Sequence, residues 1–149
     1  HSAGAHLAAL VSTDPRYFET ADVPMVAIRG AILLDGAGYD VPRQMERAGP
    51  MLGKMYRDAF TTDKETQIRL SPLAHAATPN VSNWLILFDK ARADSGSQSN
   101  ALAEALTRAG SLVSAVPISD TTHMKLNREM GVDGDPATRL VDAFIERIL

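Results

Sequence analysis

The stretch HSAGAHLAALV, residues 1–11, decides how the rest of the chain is interpreted. Ser2 and Gly4 stand on either side of one alanine and lead directly into an alanine-rich segment. That segment ends at Asp14-Pro15, because proline cannot continue a helix. The small residues Ala3 and Gly4, at the start of the segment, favour a sharp strand-to-helix turn whose helix packs closely against a sheet. The stretch therefore predicts a slim helix that begins just after Ser2.

Three apolar runs farther along the chain are predicted to be strands. Helical patterns separate the runs, which is typical of a parallel sheet joined by crossover helices. We therefore expect an α/β fold. The runs are VAIRGAILL (Val26 to Leu34), WLILF (Trp84 to Phe88) and the weaker LVSAVPI (Leu112 to Ile118), whose Pro117 should lie near a strand end.

Two helices have readable ends. The segment Asn100 to Ala109 is predicted to begin at an N-cap, Ser97 or Ser99, and to end at Gly110. The last helix is predicted over Pro136 to Leu149, with Asp135 as its N-cap and proline in its first turn. An apolar stripe on it is formed by Leu140, Val141, Phe144, Ile145 and Ile148.

Composition limits the classes of function. The 149 residues are 45% hydrophobic, which suits one core and one domain or part of one, and the net charge of −3 with no dense basic block argues against nucleic acid as a partner. The chain has no cysteine, which excludes thiolate catalysis and cysteine-ligated zinc. No apolar run approaches the roughly 20 residues that span a bilayer, and the first residues do not form a signal peptide. We expect a cytoplasmic protein without a membrane span, and the question of a signal peptide before residue 1 stays open.

The order of three residue types points to nucleophilic chemistry. Ser2 lies at a predicted helix N-terminus, where the free backbone N–H of Ala3 can stabilise an oxyanion. A serine needs a base, and the base needs an orienting acid. Asp94 follows the run WLILF, in the loop DKARADSGS, and His123 follows the run LVSAVPI, in the loop SDTTHMKLN. The order is thus serine, aspartate, histidine.

These segments together resemble the C-terminal half of an α/β-hydrolase of the esterase/lipase type, in the branch that includes carboxylesterases and arylformamidases. The resemblance runs through most of the chain and is weakest between residues 41 and 67. It implies Ser2 as nucleophile, His123 as general base and acid, and Asp94 as the residue that orients His123. The segments that carry it are HSAGAHLAAL, GAILLDGAGYDV, LSPLAHA, RADSGSQSNALAEALTRAG and HMKLNREMGVDGDPATRLVDAFI.

The resemblance also implies that part of the fold lies before residue 1. The first glycine of G-x-S-x-G and the glycine-rich oxyanion loop of the family are not in this sequence. Residues 1–149 are therefore interpreted as the C-terminal half of one domain. The N-terminal half, which would supply a second oxyanion donor, is an expected partner, and a homo-oligomer is possible. The segment 41–77 is a possible cap over the acyl pocket, with Met45, Met51 and Met55 in it.

Simpler interpretations stand beside these assignments. Ser2 could be only the N-cap of a helix, and His123 only a loop histidine bonded to the backbone. Asp89, which directly ends the second run, is the alternative to Asp94 as acid. Turn formation explains Asp35, Asp40 and Asp120 without catalysis. His6 and His75 are assigned no chemistry, while His1 occupies the variable position of the motif.

Three functions follow from these observations. The first is hydrolysis of a carboxylic ester through an acyl-enzyme, with no cofactor and no metal. The second keeps the same three residues and cleaves an aryl formamide of the N-formylkynurenine type. The third is a noncatalytic subunit that needs its N-terminal half.

Overall fold

The computed structural model describes residues 1–77 and 79–149 and contains a parallel sheet in which β2 lies between β1 and β3. In this register Leu34 pairs with Leu87, and Leu87 pairs with Val116. The carboxyl ends of the strands therefore meet at one edge of the sheet, where ligand sites of open α/β folds form. The α/β class expected from the sequence is confirmed. The strands are β1 (Ala31–Leu34), β2 (Asn83–Asp89) and β3 (Leu112–Ile118).

The described residues form nine α-helices. Two helices precede β1, four lie between β1 and β2, one joins β2 to β3, and two follow β3. They are α1 (Ala3–Thr13), α2 (Arg16–Thr20), α3 (Val41–Arg47), α4 (Pro50–Phe60), α5 (Lys64–Arg69), α6 (Pro72–His75), α7 (Ala93–Arg108), α8 (His123–Arg128) and α9 (Pro136–Ile148).

The sheet is covered by helices on both faces. Trp84 and Ile86 of β2 belong to a buried cluster with residues of α1 and α7, whereas Leu85 and Leu87 belong to a second cluster with residues of α8 and α9. Successive side chains of a strand point to opposite faces, so this alternation assigns each face of β2 to one layer of helices. A strand buried on both faces is why WLILF is continuously apolar.

The first strand is shorter than predicted. The expected strand Val26 to Leu34 is wrong over its first five residues, because β1 covers only Ala31–Leu34. Its neighbour β2 begins at Asn83 and pairs no residue before Ala31, so the earlier part of the run has no strand to join. A 3₁₀ turn occupies Met25–Ala27 instead, and Val26 is 86% exposed.

Helix α7 begins well before the predicted start. It covers Ala93–Arg108, so the predicted N-caps are wrong: Ser97 and Ser99 both lie inside the helix. Ser97 accepts a hydrogen bond from Arg43, and Ser99 is fully buried. The predicted end is confirmed, because Gly110 has φ +96°, a conformation that glycine adopts without a steric penalty.

The last helix begins as predicted. Asp135 is the N-cap of α9, and its Oδ2 accepts a hydrogen bond of 2.6 Å from the backbone N–H of Thr138. Phe144 from the predicted stripe is buried against the sheet, and Ile145 at the margin of the stripe is 39% exposed. Helix α4 (Pro50–Phe60) lies within the segment 41–77 that the sequence marks as a possible cap.

Within the described residues, no helix has both the length and the apolar composition that a membrane span requires.

Candidate active site

Ser2 lies on a strained turn between the chain start and α1. Its backbone has φ +55° and ψ −124°, a region that non-glycine residues rarely adopt. Two backbone hydrogen bonds hold the turn: the Ser2 N–H donates to Leu34 at 3.0 Å, and the Gly4 N–H donates to His1 at 2.9 Å. The Ser2 side chain makes no capping hydrogen bond to α1. Its hydroxyl is therefore available for another partner.

That partner is His123, which the sequence separates from Ser2 by most of the chain. The Nε2 of His123 lies 3.1 Å from the Oγ of Ser2. His123 is the first residue of α8, and Thr122 caps this helix by accepting a hydrogen bond from the Lys125 N–H at 3.2 Å. The cap fixes the helix N-terminus, and with it the backbone from which the imidazole extends.

The other nitrogen of His123 faces Asp35. Its Nδ1 lies 2.7 Å from Asp35 Oδ2, so the three side chains form a continuous hydrogen-bonded chain from serine to carboxylate. Asp35 directly follows β1, where its φ is +44° and its N–H donates to Leu87 at 2.7 Å. The end of β1 thus aims the carboxylate across the sheet edge toward α8.

Both oxygens of the buried Asp35 carboxylate accept further hydrogen bonds. Oδ1 accepts from Ser95 Oγ at 2.7 Å and from the backbone N–H of Asp89 at 3.2 Å. Oδ2, which faces His123, also accepts from the guanidinium of Arg92. Donors therefore surround the carboxylate, as a buried charge requires.

These donors determine the charge state of Asp35. Burial alone would raise the pKa of its carboxyl group, but the hydrogen bonds from Ser95, His123 and Arg92 outweigh burial and hold the pKa below its ordinary value. Asp35 is therefore an anion at neutral pH, and an anion at this position favours a proton on the nitrogen of His123 that faces it.

The structure brings Ser2 and His123 together as expected, but it does not bring Asp94 to them. Asp94 lies in the first turn of α7, where its Oδ1 is 3.2 Å from Arg47 Nη1 and its Oδ2 is 3.4 Å from Gln98 Nε2. The prediction placed Asp94 in a loop. Because α7 begins at Ala93, the side chain is instead fixed on a helix and turned toward α3.

The alternative acid, Asp89, supports the neighbouring carboxylate without facing the imidazole. Its N–H donates to Asp35, and its own Oδ1 accepts from the Ala91 N–H at 2.9 Å. The hydrogen bond between Asp35 and His123 corrects the expectation that Asp35 is only a turn residue. Asp35 ends a strand and turns the chain, and it also carries the carboxylate that contacts His123.

The amide of Ala3 lies where a donor to an oxyanion is expected. Ala3 is the first residue of α1, so its N–H has no acceptor within the helix. Among the described residues, no other group accepts a hydrogen bond from this N–H. The helix has 11 residues, and its dipole also favours negative charge at this end. A serine oxygen and a free N–H thus lie side by side.

The described residues contain no group of three or more histidine, aspartate and glutamate side chains that could hold a metal ion. The chemistry that the arrangement itself can perform is proton transfer. An imidazole with a carboxylate on one nitrogen and a serine hydroxyl on the other can accept the hydroxyl proton as the oxygen attacks a carbonyl carbon.

Comparison with known proteins gives a structural match. No family model matches the chain, and no curated protein matches its sequence. Among solved structures, it is similar to a double mutant of an esterase called rPPE, with a TM-score of 0.60 and 20% sequence identity over 95% of this chain. The chain spans 46% of the length of that esterase. The chain therefore has an α/β fold similar to that of part of this esterase.

Proposed function

We propose that this protein is a serine hydrolase that cleaves carboxylic esters through an acyl-enzyme. The single observation that supports this proposal most is the hydrogen-bonded chain from Ser2 Oγ through His123 to Asp35. The similarity in fold to an esterase also favours hydrolysis as the class of reaction, by analogy between the two folds.

The first half of the reaction forms an ester on the enzyme. Ser2 Oγ attacks the substrate carbonyl carbon, and its proton passes to His123 Nε2. The resulting imidazolium is stabilised by Asp35, and the carbonyl oxygen, now an anion, is bound by the Ala3 N–H. The tetrahedral intermediate collapses when its C–O bond to the alcohol breaks, and His123 returns the proton to the departing alkoxide.

The second half of the reaction regenerates Ser2. Water enters where the alcohol left, gives its proton to His123 and attacks the acyl carbon. The bond between Ser2 Oγ and the acyl group then breaks, His123 protonates Ser2, and the carboxylic acid is released. One ester and one water are consumed, and one acid and one alcohol are formed.

Substitution of the nucleophile tests the proposal. We expect Ser2→Ala in the complete protein to reduce turnover of a short-chain p-nitrophenyl ester by roughly 10³-fold or more, because the attacking oxygen is lost. Ser114→Ala, which changes a serine in β3, is the matched control and should retain wild-type turnover. Turnover retained by Ser2→Ala would overturn the proposal, as would a wild-type protein with no activity on any ester.

The same machinery can cleave an activated amide, so the substrate series should include N-formylkynurenine beside the esters. A kcat/KM for the formamide above that for every ester tested would assign the amide as the substrate class and would replace the proposed ester.

A further inference from the structure

The side chain of His1 contacts the proposed general base at two points. Its ring lies 4.4 Å from the ring of His123, centroid to centroid, with an angle of 36° between the planes. Its Nε2 lies 2.7 Å from the backbone carbonyl oxygen of His123. A carbonyl can only accept, so Nε2 of His1 carries the proton and donates it.

The two contacts act on different parts of His123. The hydrogen bond holds the backbone at the N-terminus of α8, which has only six residues and follows a loop that includes Asp120 at φ +57°. The ring contact limits rotation of the imidazole about its side-chain torsions. Together they connect α8 to the turn that carries Ser2, across 122 positions of sequence.

The position of His1 makes this connection effective. His1 is bonded covalently to Ser2, and its carbonyl accepts the Gly4 N–H of the same turn. A group that holds His123 is thus fixed to the backbone of the nucleophile. The distance of 3.1 Å between His123 Nε2 and Ser2 Oγ depends on two elements that are far apart in the chain, and His1 spans the gap between them.

We propose that His1 is a positioning residue: it holds His123 in line with Ser2 by packing its tilted ring against the imidazole and by donating to the His123 carbonyl. The inference rests on the proposed function, since it assigns His1 a part in the attack by Ser2. Proton transfer is sensitive to small displacements of donor and acceptor, so a loosened His123 lowers the rate of attack while substrate binding is largely kept.

Three substitutions in the complete protein separate the two contacts. His1→Phe keeps a ring that can pack against the imidazole and removes the donor, His1→Gln keeps a donor and removes the ring, and His1→Ala removes both. His75→Gln is the matched control, because Nε2 of His75 also contacts a backbone carbonyl, that of Arg69 at 2.9 Å, in a different part of the fold.

The rate of labelling by a fluorophosphonate measures the attack directly. Ser2 Oγ forms a bond to phosphorus, fluoride leaves, and the proton is taken up by His123, so no natural substrate is needed. We expect the labelling rate constant and the kcat for a p-nitrophenyl ester to fall about 10- to 100-fold in His1→Ala. A fall of about 3- to 10-fold is expected in His1→Phe and in His1→Gln, with KM within about twofold in all three.

The outcomes separate the proposed function from the role of His1. Wild-type protein that is not labelled at Ser2 overturns the proposed function and this inference together. Wild-type protein that is labelled, with His1→Ala labelled at the same rate, overturns the role of His1 alone. A smaller amount of labelled His1→Ala at an unchanged rate constant also overturns that role, because it reports lost folded protein and not a misplaced base.

Discussion

The Nη1 of Arg92 lies 2.8 Å from the Nδ1 of His123. This nitrogen of His123 also faces Asp35, whose Oδ2 is 2.7 Å away. The two neighbours make opposite demands on it. Asp35 requires that Nδ1 carry a proton, whereas Arg92 can donate to Nδ1 only when that proton is absent.

The competition predicts that Arg92 restrains catalysis. When Nδ1 accepts from Arg92, the proton of a neutral imidazole lies on Nε2, and Ser2 faces a donor where it needs a base. We expect Arg92→Met to raise kcat for an ester by about two- to tenfold, since one charge-assisted competitor is removed. Steady-state kinetics, with ¹⁵N NMR of the histidine tautomer, measure the effect, and Arg92→Lys serves as the charged control. A kcat that falls in a folded Arg92→Met protein contradicts this prediction.

Asp35, which lies beside His123, and Asp94, which the sequence predicted as the acid, can be compared by replacing each with asparagine. We expect Asp35→Asn to lower kcat by roughly 10³- to 10⁴-fold, because an amide facing Nδ1 favours the wrong tautomer of His123. Asparagine also tolerates the positive φ of this residue, so the fold should persist. Asp94→Asn, whose carboxylate faces Arg47, should change kcat by less than about threefold. Equal losses in the two variants would contradict the assignment.

Asp14 predicts a dependence of stability on pH. Its pKa lies below the ordinary value because Arg16 donates hydrogen bonds to the carboxylate, from Nε at 2.8 Å and from Nη2 at 2.6 Å. A lowered folded-state pKa adds stability above the unfolded value of about 3.9, and this stability is lost as the pH falls through the folded pKa. In urea unfolding, the free energy of unfolding of the wild type should exceed that of Asp14→Asn at pH 6. This difference in free energy should shrink below about pH 4. Asp133→Asn, at an exposed residue, is the control. A difference that stays constant over this range contradicts the prediction.

Gly36 should tolerate no side chain. A Cβ there would lie 2.7 Å from Cζ of Tyr39 and 2.9 Å from Cβ of Ala5, and both neighbours are buried. We expect Gly36→Ala to lower the free energy of unfolding by about 1–3 kcal/mol, because the packed interior has no room to adjust. Gly49→Ala meets open space and should cost less than about 1 kcal/mol. Denaturant titration compares them, and equal midpoints for the two variants would contradict the expected clash.

The segment 41–77 remains a proposed cap over the acyl group. Met51 and Met55 of α4 are 89% and 54% exposed, although their side chains are apolar. If they contact the acyl chain, Met51→Ala with Met55→Ala should shift the preferred length in a series of p-nitrophenyl esters. Val132→Ala removes an exposed apolar side chain after α8 and should leave that preference unchanged. A preference unaltered by the double substitution contradicts the cap.

The sequence predicted the sheet better than it predicted the site. WLILF is a continuous apolar run between helical patterns, and it forms the buried central strand of the described sheet. LVSAVPI, the weaker run, forms the partly exposed strand β3 beside it. The acid was harder to find, because an aspartate followed by glycine is typical of a turn, and Asp35 does turn the chain. Its position immediately after AILL was the available signal, since parallel strands end at one edge. The hydrogen bonds of Asp35 depend on Ser95, which α7 places, and the early start of α7 was not predicted.

The backbone around the site has a cost in stability. Among the described residues, five non-glycine residues have positive φ, and Ser2, Asp35 and Asp120 are three of them. Each such conformation costs about 1–3 kcal/mol, which the surrounding structure must offset. A glycine at position 2 would relieve the strain at the first of these and would remove the hydroxyl group at the same time. Selection for stability alone would therefore favour glycine at position 2, whereas the proposed nucleophile would require serine there in spite of the strain.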